Sequence, residues 1–317
     1  MNESRARSVG LAIAIALALV TTAPLALEQS STTLRTEWGD PDLSGTWVID
    51  NDSAAPFQRP VDNDDASAIA ELVESGVFEP ARGEDARAYR ARALIEWRRT
   101  HRTPSSLVID PPDGRLPPLT PDAERRIATM WKTTWNSDGP WDTVAEFGPD
   151  ERCISRGLLG SMFPSIDHGA MTIVQTPGLV AIRTDAIHET RMVFVDGRPH
   201  LGPGIRGYMG DSRALWDGAA LVIETTNFNG RIGARASGNE LPTSERLTVM
   251  ERFTREDGRI RYEATVDDPG TWLRSWTVAF PLTERSDYEI AEYACHENNA
   301  PFIRTALQSS RSDQTPR

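Results

Sequence analysis

Three of the five histidines fall on or at the ends of predicted strands. An imidazole gives or takes a proton near neutral pH, and a neighbouring carboxylate can orient it, so these positions suit general acid–base catalysis. Acidic and amide side chains lie at the same strand ends, where the mouth of a barrel is expected. The predicted catalytic residues are His296, Glu251, His188, Arg191, His200 and Asp211. The predicted substrate-binding residues are Trp216, Glu224, Asn227, Trp272, Arg274 and Asn298.

The segment "EYACHENN", residues 292–299, holds the histidine nearest the end of the chain. Read as the end of a strand, its alternation places Cys295 and Glu297 on one face and His296 and Asn298 on the other. His296 would then point along an apolar lining, as an acid or base requires. The alternative is that His296 caps the strand by bonding a backbone carbonyl.

Glu251 stands in an apolar row. In "ERLTVMERF" it shares a strand face with Val249 and Phe253, so the carboxylate should be buried or line a cavity. Burying it unpaired costs several kcal/mol, so it needs a cation or hydrogen bonds. Arg191 and Arg274 lie in apolar phase on other predicted strands. Two interpretations follow: a structural ion pair inside the barrel, or a polar-based pocket.

The only two cysteines are Cys153 and Cys295. In an oxidising compartment such a pair most often forms a disulfide, and it would stabilise the fold by about 4–5 kcal/mol in the chain-entropy model. The functional alternative is a catalytic thiolate at Cys295 beside His296. Neighbouring residues on a strand point to opposite faces, which argues against that pairing.

Other motifs do not lead to a metal or cofactor. His188, His200 and His296 with a carboxylate would suffice for a catalytic zinc site, but they show no HxH or HxxxH spacing. The glycine-rich "GPGIRG" is not followed by the helix that a phosphate site requires. "GDS" at residues 210–212 lacks the α/β sheet of nucleophilic serine motifs. We therefore predict no metal and no organic cofactor.

The first residues predict export. "MNESRARS" supplies two arginines and "VGLAIAIALALV" an apolar run, which together are typical of a signal peptide over residues 1–26. The run is shorter than the roughly 20 residues of a membrane span, so we expect no transmembrane segment and a periplasmic or secreted location. A net charge of −12 argues against nucleic-acid or anionic-membrane partners.

The rest of the chain divides into two parts. Residues 27–150 read as one strand in "DLSGTWVI", three helical patterns and a proline-rich stretch that pack on a barrel. The third helical pattern opens with Thr120 as N-cap and Pro121 at the first helical position. Residues 151–305 show period-two alternation between short turns, which predicts a mainly β fold, an antiparallel up-and-down barrel. Residues 306–317 are predicted as a disordered tail.

Several motifs carry a family resemblance. "LSGTW" resembles the Gly-x-Trp of the first lipocalin strand. The ordered set "QTPGLVAI", "DGRPH", "GDSRALWDGAALVIETTNFN", "ERFTR", "TVDDPGTW" and "EYACHENN" resembles a family of secreted bacterial proteins of mostly unassigned function, over most of residues 40–305. The resemblance implies a lipocalin-like (calycin-type) barrel outside the cytoplasm and transfers no reaction.

The sequence thus predicts a protein that binds a hydrophobic small molecule in the barrel and performs acid–base chemistry on it. Isomerisation, dehydration, cyclisation and hydrolysis all fit. The alternatives are a non-catalytic periplasmic carrier and a structural protein of the cell envelope. Charged residues converging on an apolar cavity favour the enzyme, an apolar cavity favours the carrier, and a barrel filled by side chains favours the structural role.

Overall fold

A computed structural model of the chain describes residues 34–49, 55–59, 106–127, 139–164, 169–236 and 239–313. The predicted signal peptide lies outside these residues, as do the first two predicted helices, 66–75 and 83–101. Within the described ranges, no helix is both long enough and apolar enough to cross a membrane.

The described part of the chain is mainly β and contains twelve strands. They are β1 (Gly45–Ile49), β2 (Val108–Asp110), β3 (Ala170–Thr176), β4 (Leu179–Thr184), β5 (Thr190–Phe194), β6 (Asp211–Asp217), β7 (Ala220–Thr226), β8 (Gly233–Ala236), β9 (Asn239–Pro242), β10 (Thr248–Glu256), β11 (Arg259–Asp267) and β12 (Trp276–Glu284). Three helices accompany them: α1 (Pro121–Ile127), α2 (Gly157–Met162) and α3 (Cys295–Asp313).

Nine of these strands close into a barrel in the order β1-β3-β4-β5-β6-β7-β10-β11-β12. β12 returns to β1, where Trp47 lies opposite Glu284, and this pairing removes the free sheet edges. The short β2 pairs with the beginning of β12, and β8 and β9 form a separate hairpin. The predicted lipocalin-like barrel is confirmed, and β1 is one of its strands.

One junction departs from an up-and-down meander. β5 and β6 pair in parallel, with Val193 opposite Ser212 and Phe194 opposite Arg213, whereas every other neighbouring pair in the described barrel is antiparallel. Parallel neighbours cannot be joined by a tight turn. The chain therefore returns through residues 195–210, which we call the crossing connection.

Side chains fill the barrel interior. Inward-facing residues of six strands expose almost no surface: Trp47, Val193, Ile223, Val249, Phe253, Tyr262, Val266, Trp276 and Leu282. At one end α2 and its flanks pack on them, with Phe163 and Trp276 ring centroids 5.9 Å apart. A side chain without accessible surface has no water-sized space beside it, so this interior is a packed core rather than an open cavity.

The opposite end is covered by the segment before β1. The backbone N–H of Leu43 donates to Gln175 Oε1 at 2.5 Å, and Gln175 Nε2 donates to the carbonyl of Pro41 at 3.1 Å. The indole N–H of Trp47 donates to the carbonyl of Leu43 at 2.9 Å. These bonds satisfy the polar groups of a buried glutamine and fix the N-terminal segment on the barrel.

The helices test two predictions. Thr120 caps α1 as predicted, because its hydroxyl accepts the backbone N–H of Ala123 at 3.1 Å. The strand predicted through "YEIAEYAC" is wrong, since residues 288–294 form no strand and α3 begins at Cys295. The tail predicted from residue 306 is wrong in part, since α3 continues to Asp313. The helix owes its position to tertiary contacts that short-range alternation does not reveal, namely Ile303 against Trp141 and Phe147.

Asp185 gives a stability prediction with a defined sign. Its Oδ2 accepts the backbone N–H of Ala170 at 3.2 Å, and burial raises the pKa of Asp185 above its ordinary value despite such backbone bonds. The protonated form is therefore favoured by folding, and this contribution is lost as pH rises through the folded-state pKa. We expect Asp185→Asn to raise the free energy of unfolding more at pH 7 than at pH 3.5.

Urea denaturation of both proteins across this pH range measures the difference directly. The asparagine keeps an accepting oxygen, so a pH-independent difference between the two proteins would contradict the prediction.

Candidate functional site

β6 and β7 present polar side chains on the outer wall of the barrel. Their side chains alternate, so that Ser212 and Thr225 point inward while Arg213 and Glu224, opposite each other in the register, point outward. Asp211 shares the outward phase, and the crossing connection lies over it. The site described next is therefore outside the barrel, and not at an open mouth.

His200, on the crossing connection, stands between two carboxylates. Its Nδ1 lies 2.9 Å from Asp211 Oδ2, and its Nε2 lies 3.3 Å from Glu224 Oε1. The three side chains differ in exposure: 9 % for Asp211, 24 % for His200 and 46 % for Glu224. We call these three residues the His200 array, and its solvent-facing member is Glu224.

The contacts of Asp211 determine where protons lie in the array. Arg213 Nη1 is 2.7 Å from Asp211 Oδ1, and the backbone N–H of Leu201 donates to Oδ2 at 2.9 Å. This carboxylate is thus ionised and accepts only, so His200 Nδ1 carries a hydrogen. The other ring nitrogen, Nε2, faces the half-exposed carboxylate of Glu224.

Hydrogen bonds from three side chains hold the crossing connection on the barrel. Arg213 Nε donates to the carbonyl of Pro199 at 3.0 Å, and Asn227 Nδ2 donates to the carbonyl of Leu201 at 2.9 Å. Further along, Arg206 Nη1 donates to the carbonyls of Phe228 and Glu245 at 3.1 and 2.8 Å. His200 is therefore presented by a segment with several independent attachments, which fixes the direction of its ring.

Inside the barrel, Glu251 and Arg191 form the ion pair that strand phase predicts. Arg191 Nη2 lies 3.1 Å from Glu251 Oε1, Nη1 bonds the other carboxylate oxygen, and the Tyr262 hydroxyl donates to Oε1 at 3.0 Å. Burial raises the pKa of Tyr262 well above its ordinary value, so the phenol stays protonated and donates. The carboxylate has no accessible surface, which fits the structural interpretation of Glu251.

Of the remaining predicted residues on the barrel, Arg274 is placed differently from the prediction. β12 begins at Trp276, and Arg274 lies in the bend before it, half-exposed and bonded to both carboxylate oxygens of Asp110 at 2.9 and 2.8 Å. Trp272 packs its ring 5.3 Å from that of Trp276 in the core. Trp216 packs partly buried against the same core, and within the described residues its indole N–H is buried without a hydrogen-bond partner.

Two predicted histidines lie away from strands. His296 and Asn298 are exposed on the first turns of α3, so their predicted alignment with a strand facing an apolar lining is wrong. His188 ends a short 3-10 turn, Ala186–His188, that precedes β5. In both places the sequence alternates between apolar and polar residues, as in a strand. The backbone is not extended there, so the alternation does not predict which way a side chain points.

The structure brings together His200, Asp211, Glu224 and Asn227, each of which the sequence singled out. Sequence reasoning missed Arg213, which bonds both Asp211 and the crossing connection. Its position two residues after Asp211 on a strand is a signal for a shared face. The sequence contains no signal that His200 lies against that face, because its position depends on the parallel pairing of β5 and β6.

The open space beside α2 is small. A recess beside α2, lined in part by Leu159, Phe228 and Leu247, has a volume of about 10 Å³, which is room for a single water. Within the described ranges, no three His, Cys, Asp or Glu side chains are arranged to hold a metal ion.

Comparison with known proteins adds little. No family model matches the chain, and no curated protein matches it. A solved structure described as "REP1-NXSQ fatty acid transporter" matches with a TM-score of 0.23 and 14% identity, over 38% of this chain and 71% of that chain. A match at this level supports no statement about function.

Proposed function

We propose that this protein is an acid–base enzyme whose proton-transferring group is His200, acting on a small, mostly apolar molecule at the outer wall of the barrel. The observation that carries the proposal is the position of His200 between Asp211 at 2.9 Å and Glu224 at 3.3 Å. Asp211 fixes the tautomer and the orientation of the ring, and Glu224 lies beside Nε2.

Such an arrangement suits the reactions expected from the sequence. Isomerisation, dehydration, cyclisation and hydrolysis each require a proton to leave one substrate atom or reach another. Asp211 contacts Nδ1, so its carboxylate stabilises the imidazolium that forms when Nε2 takes a proton. Glu224 stands where a substrate atom can replace it as the proton partner of Nε2.

Apolar side chains around the array support an apolar substrate. Leu201, which follows His200 in the chain, is 45% exposed, and Ile205 on the same connection is 60% exposed. Met250, the cross-strand partner of Glu224, is 39% exposed. The packed interior favours this surface over the barrel lumen as the binding region, and it weighs against a carrier that encloses its ligand.

Export to an oxidising compartment belongs to the same proposal. Cys153 and Cys295 form a disulfide, which is compatible with a periplasmic or extracellular location. The signal-peptide pattern of residues 1–26 is the further support.

Hydrolysis of p-nitrophenyl acetate tests the proposed role of His200. In this reaction His200 Nε2 takes a proton from the attacking water, the ester C–O bond breaks, and p-nitrophenolate leaves with the electron pair. We expect His200→Gln to lower the protein's kcat/KM by about 10²-fold or more, the effect of losing a general acid or base. The glutamine amide can still donate to Asp211, so the crossing connection should remain attached.

The matched control is His296→Gln, because His296 is exposed on α3 and makes no contact with the array. Urea denaturation of each variant establishes that it is folded. Equal rates for His200→Gln and the unsubstituted protein, or an equal loss in both variants, would refute the proposal.

A further inference from the structure

Glu224 differs from the other carboxylates around the crossing connection. Asp211 is paired with Arg213 at 2.7 Å, Asp196 with Arg198 at 2.5 Å, and Glu245 with Arg206 at 3.6 Å. Among the residues that the structure describes, the one ion-pair partner of Glu224 is His200. When the imidazole is neutral, the negative charge of Glu224 has no cation against it, and its side chain is 46% exposed.

The nearby cations are already engaged. The guanidinium of Arg213 bonds Asp211 and lies 5.1 Å from the centroid of the Phe194 ring, and that of Arg198 bonds Asp196 and lies 4.3 Å from the same ring. An anionic group approaching Nε2 would therefore meet an uncompensated carboxylate. A cationic group would meet a partner.

We propose that Glu224 determines the charge of the substrate, and that the substrate is an apolar molecule carrying a positively charged group, such as an amine. This inference rests on the proposed function of His200. The positive group lies beside Glu224, and the apolar part lies along exposed Leu201 and Met250. The net charge of −12 adds a general attraction for cations and a repulsion of anions.

Three p-nitrophenyl esters that differ in acyl charge test the inference. The acetate is neutral, the hemiglutarate is anionic, and the 4-(trimethylammonio)butyrate is cationic. For each ester, the kcat/KM of His200→Gln is subtracted from that of the unsubstituted protein, which gives the His200-dependent kcat/KM. This difference is then divided by the rate constant for attack of hydroxide on the same ester, so that esters of different intrinsic reactivity can be compared. At low ionic strength we expect the cationic ester to exceed the anionic one by about tenfold or more, since like charges in close approach are strongly disfavoured.

Glu224→Gln should lower the ratio of cationic to anionic ester far more than the loss of one negative charge elsewhere on the protein does, whatever it does to the absolute rate. The control is Asp217→Asn, because Asp217 lies on the same outer wall at the far end of β6, is 63% exposed and pairs with Arg252 at 2.8 Å. That variant should change the ratio much less. Added salt should shrink the ratio in the unsubstituted protein, because exposed charges are screened.

The outcomes separate the two proposals. A ratio near one in the unsubstituted protein, or a ratio that Glu224→Gln leaves unchanged, overturns the charge selection while the role of His200 stands. Hydrolysis of all three esters that is insensitive to His200→Gln overturns both.

Discussion

Replacing Glu251 by glutamine is expected to lower the free energy of unfolding by about 3–5 kcal/mol, the cost of breaking a buried ion pair from one side. The substitution keeps the shape of the side chain and removes its charge. Arg191 is 4% exposed and would keep its positive charge in the barrel core without a counter-charge. Tyr262 cannot compensate, because its hydroxyl is held protonated and neutral by burial.

Urea denaturation followed by tryptophan fluorescence measures this change, since Trp276 and Trp272 lie in the same core. The control is Glu263→Gln, in which a partly exposed carboxylate loses its 2.8 Å pair with Arg261. Exposed pairs contribute about 0–1 kcal/mol, so the control should remain within that range.

A second variant distinguishes the loss of the attraction between Glu251 and Arg191 from the cost of leaving Arg191 buried without a counter-charge. Arg191→Met combined with Glu251→Leu removes both charges, and such apolar replacements of buried pairs are often neutral or stabilising. We expect the double variant to be more stable than Glu251→Gln alone. Unfolding of Glu251→Gln at the same urea concentration as the unsubstituted protein would show that the carboxylate does not lie in the core.

The pair of Glu251 and Arg191 could be predicted from the sequence, because side chains along a long strand alternate strictly between its two faces. β10 and β11 each run for nine residues, so the face of Glu251 follows from Val249 and Phe253 on either side. The same regularity made the barrel itself predictable. Arg274 marks the limit, since its apparent phase with Trp276 extends across a bend at which the period no longer holds.

Only part of the His200 array could be predicted from the sequence. Asp211 and Glu224 lie on the adjacent strands β6 and β7. The sequence pattern identified β7, in "DGAALVIETTNF", but not β6. His200 reaches them because β5 and β6 pair in parallel, which sends the chain back across the outer wall. That choice between neighbours depends on packing across the whole barrel, and a turn at Asp196 and Gly197 is equally compatible with an antiparallel neighbour.

The segment "EYACHENN" failed as a strand for a related reason. Cys295 begins α3, and the position of that helix is set by contacts with residues more than a hundred positions earlier, Trp141 and Phe147. Only the disulfide was predictable there, because it followed from the number of cysteines and the expected compartment and required no knowledge of backbone conformation.

Loss of the disulfide between Cys153 and Cys295 is expected to lower the free energy of unfolding by about 4–5 kcal/mol, because the bond closes a loop over a separation of 142 residues. The bond restricts the unfolded chain and also holds the first residue of α3 against the turn that contains Cys153. Besides the bond, α3 is held by a small apolar cluster in which Ile303 packs with Trp141 and Phe147.

The variant Cys153→Ala with Cys295→Ala tests this contribution without leaving free thiols. Urea denaturation should show the loss, and limited proteolysis should cleave within α3 sooner than in the unsubstituted protein, because α3 then loses its covalent attachment and keeps only non-covalent contacts. Adding dithiothreitol should destabilise the unsubstituted protein to the level of the double variant and leave the double variant unchanged. If the reductant shifts both proteins equally, or neither, the disulfide does not stabilise the fold.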